Sequence, residues 1–542
     1  MRFPRPVGLD PVPLTVLARR VGADEAAARS ASEPGPSVSG VSLDSRGVRP
    51  GDLYAALPGA RAHGGRFGAD AVAAGAVAVL TDPAGAQLVA SAARQSGRPP
   101  VPVLVVPTPR AVLGELAALV YGQAAQRLRM YGVTGTNGKT TTAYLIESAL
   151  RALGVSTGLI GTVETRIGSE RLESSRTTPE APDLHAILAV MAQRGTAAVV
   201  MEVSSHALAQ HRVDGVVYDI ALFTNLSQDH LDYHADMDDY FAAKAALFTP
   251  ERSRRGVVCV EDAWGRALAQ RSRVPVVTVG STGTCDWRIA ASDTDPGAFV
   301  LSGPAGSLQL RSHLPGTFNV VNTAMAAVTL VESGYAVAEV AIAMAPPPQV
   351  PGRMELVAGA PDDPRCVVDF AHTPEAVAAA LAALRPTTPG RLIAVLGAGG
   401  DRDAGKRLAM GAAAARYADL VVITDDNPRS EDPAAIRAAV AAGVRSVGPD
   451  RCVDSGSGRA ADIATAIGLA RAEPRPQEVT VVVLGKRHER GQEIAGIVHP
   501  FDDRAAIAAA LHGTGYRPTV GASGVPEVRG ASAASDAAGA PS

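Results

Sequence analysis

The sequence predicts an α/β protein of several domains, and three observations predict it. Its 542 residues exceed what a single core sustains, and roughly three domains is the natural number for that length. Short apolar strands alternate with helix-patterned stretches through most of the chain. At residues 127–132 an apolar strand runs through a glycine turn into a run, 143–153, with helical apolar spacing.

That third stretch organises the rest. Strand, glycine turn and helix start make a phosphate cradle of the P-loop type. The glycines let the backbone approach phosphate oxygens, and the first helix amides point at them. The turn reads Gly135-Thr-Asn-Gly-Lys-Thr-Thr141. Lys139 is placed for terminal phosphates, and Thr140 offers a hydroxyl to Mg²⁺. Val133 stands where the strict pattern has glycine. An ordinary strand-to-helix turn is the alternative, and Gly-Lys-Thr in this setting favours nucleotide.

The elements follow in order. Residues 1–125 read as a small α/β domain, with a helix at 14–21, a loop at 32–37, strands at 51–57, 77–80 and 103–106, and a helix at 69–78. Asp44, Ser45 and Arg46 put an acceptor, a hydroxyl and a guanidinium on one turn. From spacing alone, local side-chain bonds explain them better than a ligand does. Residues 126–345 form the nucleotide domain. Its strand at 197–203 ends in Glu202, where a second Mg²⁺ ligand is expected, although helix capping by this Glu or by Ser204 also fits. The strand at 220–226 leads into two Asp and two His within 228–234, a cluster suited to metal or phosphate. The helix at 240–248 is amphipathic, and its pattern puts Lys244 on the surface. Residues 314–322 open an Ala-rich helix.

The proline-rich stretch 346–351 is a stiff linker. Residues 352–515 carry strands at 366–370, 392–396, 420–424 and 479–484 with helices between them, which predicts a mostly parallel sheet. Each strand runs into polar residues: Asp369 and His372, then 397–403, then 425–429, then 485–489. Ligands of open α/β sheets sit at the carboxyl ends of strands, so the four clusters describe one site for a multiply charged ligand. The tail, 516–542, is rich in Gly, Ala and Ser, a composition that predicts disorder.

Composition bounds the partners. Hydrophobic residues at 46% and charged residues at 19% describe a soluble globular chain, and a net charge of −3 gives no general attraction to nucleic acid or anionic membrane. Cys259, Cys285, Cys366 and Cys452 have neither metal-ligand nor redox spacing. No apolar run is long enough to cross a bilayer, and prolines break the first fourteen residues, so a cytoplasmic protein is expected.

Taken together, these motifs resemble the Mur ligases, ATP-dependent amide-forming enzymes of peptidoglycan precursor synthesis. The resemblance covers about residues 38–512. It implies a three-domain architecture with a UDP-substrate domain, a central P-loop-type ATPase domain and a Rossmann-like C-terminal domain. The implied activity is addition of 2,6-diaminopimelate to UDP-N-acetylmuramoyl-L-alanyl-D-glutamate through an acyl phosphate, serving the cell wall, cell shape and cell division. Gly135, Thr136, Asn137, Gly138, Lys139, Thr140 and Thr141 match the ATP loop, and Asn322, Arg353 and Asp369 fall where the family handles the rest of ATP. Leu43, Ser45, Thr177, Thr178, Ser204, Gln210 and Arg212 match positions for the muramoyl-peptide substrate. Glu202 and His230 match Mg²⁺ positions, and Lys244 matches a lysine that carries a carbamate, which turns an ammonium into an oxygen ligand. Arg402, Asp426, Asn427, Pro428, Arg429, Gly485 and Glu489 match diaminopimelate positions. Arginine for a carboxylate and glutamate for an ammonium suit that amino acid's distal end. Lys139, Lys244 and His230 are the implied catalytic residues.

The chain departs from the family pattern twice. Arg487 stands where the family usually has Gly, and no proline follows Lys406-Arg407. Two rivals remain: a folylpolyglutamate synthetase-like ligase, and a nucleotide-binding protein that has lost ligation. The segments Leu43-Asp-Ser-Arg46 and Asp426-Asn-Pro-Arg429 argue against the first, and Arg487 alone favours the second.

Overall fold

The computed structural model describes residues 3–23, 35–59, 62–97, 100–174, 176–295, 297–401, 403–486 and 491–516. The tail expected to be disordered lies, from residue 517, outside the described residues. The chain divides between Gln349 and Val350 into two compact units.

The first unit holds two large sheets. Gly40–Ser42, Asp52–Ala55, Ala78–Thr81 and Val103–Val105 form a parallel sheet of four strands. The helix at Leu14–Val21 falls where its apolar spacing puts it, and Gly22 closes it at φ 66°. The helix expected at 69–78 is shorter, Gly68–Ala73. Gly75 turns the chain at φ 108°, with no room for a Cβ, which would sit 2.7 Å from Pro50 Cα. Alanine fits either face of a helix, so the pattern did not mark this stop.

The second sheet of this unit centres on Arg129–Thr134, the strand before the glycine turn. Ala198–Glu202 pairs parallel on one side of it and Tyr218–Phe223 on the other. Strand order therefore reverses at this strand, the place where open α/β sheets bind ligands. Antiparallel pairing adds Glu164–Ile167 and Glu170–Glu173 at one flank; at the other Trp287–Ala291 joins parallel, and Ala298–Gly303 and Gly306–Arg311 follow antiparallel. The sequence did not predict these extensions. One apolar core runs through both sheets, from Leu14, Leu53 and Leu104 by way of Leu116 and Tyr121 to Met130, Leu184 and Phe223. Burial of that continuous surface is what joins residues 3–125 to those that follow.

In the second unit the order is Glu355–Val357, Arg365–Val368, Thr480–Leu484, Leu392–Leu396, Leu420–Ile423, Cys452–Asp454. The first strand is antiparallel and the others are parallel. Alternate residues feed opposite faces. Leu392, Ala394 and Leu396 enter one core, while Ile393 and Val395 enter the other. A sheet buried on both sides explains why its strands read as unbroken apolar runs.

Candidate active site

The glycine turn is held by its neighbours. Asn225 Oδ1 accepts from Asn137 N at 3.0 Å, and the Thr224 hydroxyl donates to Asn137 O at 2.6 Å. Gly135 lies at φ 145° and Gly138 at φ 85°. A Cβ on Gly138 would come within 2.5 Å of Asn322 Oδ1, so Asn322 packs directly on the loop. Helix Lys139–Ala152 starts at the loop's end with no side-chain cap, so the positive end of its dipole lies at the loop.

Two lysines meet at one carbonyl. Lys139 Nζ donates to Gly135 O and Thr136 O, both at 2.9 Å, and Lys244 Nζ donates to Gly135 O at 2.8 Å. Lys244 lies on helix Met237–Ala245 and is 1% exposed. The surface position read from its pattern is thus corrected: the helix packs this face against the phosphate loop, and Lys244 Nζ sits 4.4 Å from the centre of the Tyr240 ring. Burial, then repulsion from Lys139, holds its ammonium well below the ordinary lysine value, with Asp229 opposing. A neutral amine is the form that captures CO₂.

Beside the lysines lies a set of oxygens. Thr140 Oγ1 donates to Glu202 Oε2 at 2.9 Å. Thr162 donates to the same carboxylate through its amide at 2.7 Å and its hydroxyl at 3.0 Å. Glu202 is buried, and these donors are all neutral. A buried carboxylate with hydroxyls around it suits a hard cation. Among the described residues, no group of three or more His, Cys, Asp or Glu is arranged to hold a metal ion. His230 lies at φ 57° beside Asp229, at 3.5 Å, and burial lowers its affinity for a proton. Its ring stands edge-on to His206, centroids 4.8 Å apart.

The residues expected to hold the muramoyl peptide form one wall. Thr162 Oγ1 reaches Thr177 Oγ1 at 3.0 Å, Thr178 Oγ1 donates to Glu202 O at 2.9 Å, and Ser204 N donates to Thr178 Oγ1 at 3.1 Å. Arg212 Nη2 donates to Gln210 Oε1 at 2.6 Å. Ser204 also caps helix Ser205–Ala209 through Ala207 N, so the capping alternative holds for it, while Glu202 makes no cap. Leu43 and Ser45 stand at the turn after Gly40–Ser42, where Asp44 pairs with Arg46 at 3.0 Å. That local pair is the one spacing favoured.

In the second unit the strand-end clusters are brought together. Gly400 N donates to Asn427 O at 2.9 Å, and Arg429 Nη1 donates to Gly400 O at 2.5 Å. A Cβ on Gly485, at φ 94°, would lie 2.9 Å from Gly397 O. Gln492 Nε2 donates to Asp426 O, and Asn427 Oδ1 accepts from Glu493 N. Arg429 sits at φ 53°, fixed by bonds to Glu493 O and from Ala495 N. Asp369 is buried, accepts from Met354 N and Ala371 N, and has its carboxyl raised by burial against the pull of Arg353. The Arg353 guanidinium stacks 4.3 Å from the Phe370 ring centre. Arg402, Arg487 and Glu489 lie outside the described residues.

Sequence reasoning missed Thr162, Asn225 and Tyr240, which hold Glu202, the loop and Lys244. Thr162 and Asn225 each stand two residues past a buried strand, Thr157–Ile160 and Tyr218–Phe223, and that position was their only signal.

Comparison with known proteins fits this geometry. Residues 37–121 match the Mur ligase family catalytic domain, 133–330 the Mur ligase middle domain, and 352–487 the Mur ligase glutamate ligase domain. The chain is 52% identical over 519 residues to a UDP-N-acetylmuramoyl-L-alanyl-D-glutamate–2,6-diaminopimelate ligase of Streptomyces coelicolor, covering 94% of this chain and 98% of that one. It is 44% identical to a UDP-N-acetylmuramyl-tripeptide synthetase of Leifsonia xyli, covering 89% and 93%. A solved UDP-N-acetylmuramoyl-L-alanyl-D-glutamate–2,6-diaminopimelate ligase superposes with a TM-score of 0.59 at 32% identity, covering 88% of this chain and 95% of that one. A Mycobacterium tuberculosis folylpolyglutamate synthase shares the fold at TM-score 0.58 and 21% identity, over 70% and 93%. With three family domains matched in order and close relatives along nearly its whole length, the chain belongs to the Mur ligase family.

Proposed function

We propose that this ligase joins 2,6-diaminopimelate to UDP-N-acetylmuramoyl-L-alanyl-D-glutamate at the expense of ATP, in the cytoplasm, as a step of peptidoglycan precursor synthesis. The observation that carries the reading is the meeting of Lys139 and Lys244 at Gly135 O, on a glycine loop beside the Thr140–Glu202 pair. Lys139 supplies the positive charge for phosphate oxygens, and Lys244, whose ammonium form burial and Lys139 both disfavour, supplies an amine beside it. The names of the similar ligases supply the substrates.

The chemistry follows from the carboxylate. A carboxylate is a poor electrophile for an amine, so its oxygen first takes the γ-phosphoryl group, and the bond between that phosphorus and ADP breaks. Lys139 and the loop amides hold the charge that builds on the phosphoryl oxygens. The amine of diaminopimelate then attacks the acyl carbon, phosphate leaves, and the nitrogen gives up a proton. Thr140, Glu202, His230 and a carbamate on Lys244 would hold Mg²⁺, which neutralises phosphoryl charge when bound. A cation completed by phosphate oxygens needs few protein ligands. Asn322, Arg353 and Asp369 are assigned to ATP in this reading from the family resemblance. Leu43, Ser45, Thr177, Thr178, Ser204, Gln210 and Arg212 hold the muramoyl dipeptide. Arg402, Asp426, Asn427, Pro428, Arg429, Gly485 and Glu489 hold diaminopimelate. Residues 1–125, 126–345 and 352–515 act as the three domains, with 516–542 a tail.

The test is phosphate release from ATP with the muramoyl dipeptide, with and without diaminopimelate. Sustained release only with both substrates, and a tripeptide product, is expected. Release with a folate acceptor instead, or none with any acceptor, overturns the reading.

A further inference from the structure

Three guanidinium groups converge on one carboxylate beside the muramoyl-peptide wall. Glu180 accepts from Arg176 at 2.6 Å and from Arg110 at 3.1 Å, and Arg212 Nε forms an ion pair with it at 3.1 Å. The arginines come from separate places: the first turn of helix Pro109–Val120, the segment before Thr177, and the turn after helix Ser205–Ala209. A carboxylate can accept from several donors, yet it carries one charge. Asp183 is the other acid near this cluster, and burial, then Glu180, raises its carboxyl above the ordinary value. Arg5 also acts on Asp183 but is bonded to Asp52 at 2.6 Å. Positive charge therefore exceeds negative here. Burial lowers the Arg212 pKa first, and Arg176 and Arg110 lower it further against the pull of Glu180.

The surroundings add to the same sign. Helix Ala181–Gln193 begins at Glu180, whose side chain makes no cap bond. Its N-terminal partial charge is positive. The cluster also adjoins the reaction centre, since Arg212 Nη1 lies 3.5 Å from Thr178 O and the Thr178 hydroxyl bonds Glu202 O. Like charges gathered in a half-buried place need an anion to offset them.

We propose that Arg110 and Arg176 join Arg212 in binding a second anionic group of the muramoyl dipeptide, other than the carboxylate that is activated, with Glu180 as the internal counter-ion that this group replaces. The inference rests on the functional reading above. Two parts of the substrate carry such charge, the α-carboxylate of the D-glutamyl residue and the diphosphate. Arg110 and Arg176 then determine affinity and specificity and touch no reacting atom.

The experiment is calorimetric titration of the full chain with three probes. They are the muramoyl dipeptide, its D-isoglutamine analogue, and UDP. The analogue keeps the γ-carboxylate and carries an amide in place of the α-carboxylate. Arg110→Gln and Arg176→Gln are each expected to weaken the dipeptide about tenfold, with KM for ATP and for diaminopimelate unchanged and kcat within about twofold. Glu180→Gln is expected to tighten the dipeptide, whereas a merely structural Glu180 would weaken it. If wild type binds the analogue about tenfold more weakly than the dipeptide, and Arg176→Gln binds both alike, the α-carboxylate is the anion. If wild type binds both alike, and the variants lose both and UDP together, the diphosphate is. Unchanged dipeptide affinity in both folded arginine variants overturns the proposal. So does dipeptide affinity in wild type that ignores a rise in salt from about 50 to 200 mM, which needs no variant. Failure of the inference alone leaves wild-type ligation intact, whereas failure of the functional reading removes dipeptide binding altogether.

Discussion

In the first unit the site gathers around one glycine loop and the two strands paired beside it; in the second it is assembled from three separate loops. The loop after Arg129–Thr134 supplies Lys139 and Thr140 within seven residues of sequence, and its neighbours Glu202 and Asn225 sit at the ends of the two strands paired to it. The site after Leu392–Leu396 needs Gly400, Asn427, Arg429 and Gly485 from three separate loops, plus Glu493 and Ala495 to hold Arg429. The first kind of site is made by local geometry and bears a spacing pattern. The second exists only once the sheet has formed. Positioning errors in it should therefore show as lost recognition, while errors in the first should show as lost turnover.

The largest effect is expected at Lys244. Lys244→Ala removes a buried group that bonds Gly135 O, and turnover should fall to about a thousandth or less. Added short carboxylates should restore part of it by filling the vacated ligand position. Lys139→Ala should cost about 10²–10³ in kcat, without carboxylate rescue. Steady-state rates with and without acetate check both. Rescue of the Lys139 variant, or wild-type rates in either, breaks the distinction between a metal-side amine and a phosphate-side amine.

These two lysines also show what the sequence reveals and what it hides. Lys139 follows a glycine turn at a fixed offset, and so could be read directly. Lys244 lies three and four residues from Tyr240, Phe241, Leu247 and Phe248, on the apolar side of its helix, yet a lysine there reads as a surface residue by its charge. Only the resemblance drew attention to it. The parallel strands were legible because a sheet buried on both faces leaves unbroken apolar runs. The short antiparallel strand Glu170–Glu173 was not, since it lies at the sheet edge and only Leu172 among its residues is apolar. Asp44, Ser45 and Arg46 read as a turn with local bonds, and such bonds are there. The arginines around Glu180 lay beyond reach, because Arg110 and Arg212 are a hundred residues apart in sequence.

A smaller effect is expected at Arg429. Its guanidinium is 19% exposed and bonds Gly400 O, so loss of its partner carboxylate on diaminopimelate falls at the low end for desolvated pairs, about 2 kcal/mol. Arg429→Ala should raise KM for diaminopimelate about thirtyfold and leave KM for ATP unchanged. Arg429→Gly should do the same to KM but melt higher than Arg429→Ala. The backbone there is at φ 53°, which glycine adopts freely and alanine does not. Lysine should remain a poor substrate of both variants, since removing an arginine creates no contact for it. Kinetics with each substrate varied in turn check this, and a wild-type KM for diaminopimelate in both variants would falsify the placement of the amino-acid site.

The smallest effects test the comparison most sharply, because the two units use one local device for different ends. Ser204 accepts from Ala207 N at 3.2 Å and caps the helix that follows Glu202. Thr373 accepts from Ala376 N at 3.2 Å and caps the helix Pro374–Leu384 that follows Asp369. Each cap satisfies an amide that the first helical turn leaves open, and replacing it by alanine costs about 1 kcal/mol. Hydrogen exchange at the Ala207 and Ala376 amides should then quicken about fivefold in Ser204→Ala and Thr373→Ala respectively. Asparagine at either position should restore the protection, since its side chain caps as well. The two must part in kinetics. Ser204 belongs to the wall expected to hold the muramoyl dipeptide, so Ser204→Ala should raise KM for the dipeptide, and Ser204→Asn, which caps but presents an amide, should not bring it back. Thr373→Ala should leave that KM unchanged. If Ser204→Asn restores both exchange and KM, Ser204 acts on the substrate only through its helix, and the first unit's site is positioned from the surrounding fold just as the second unit's is.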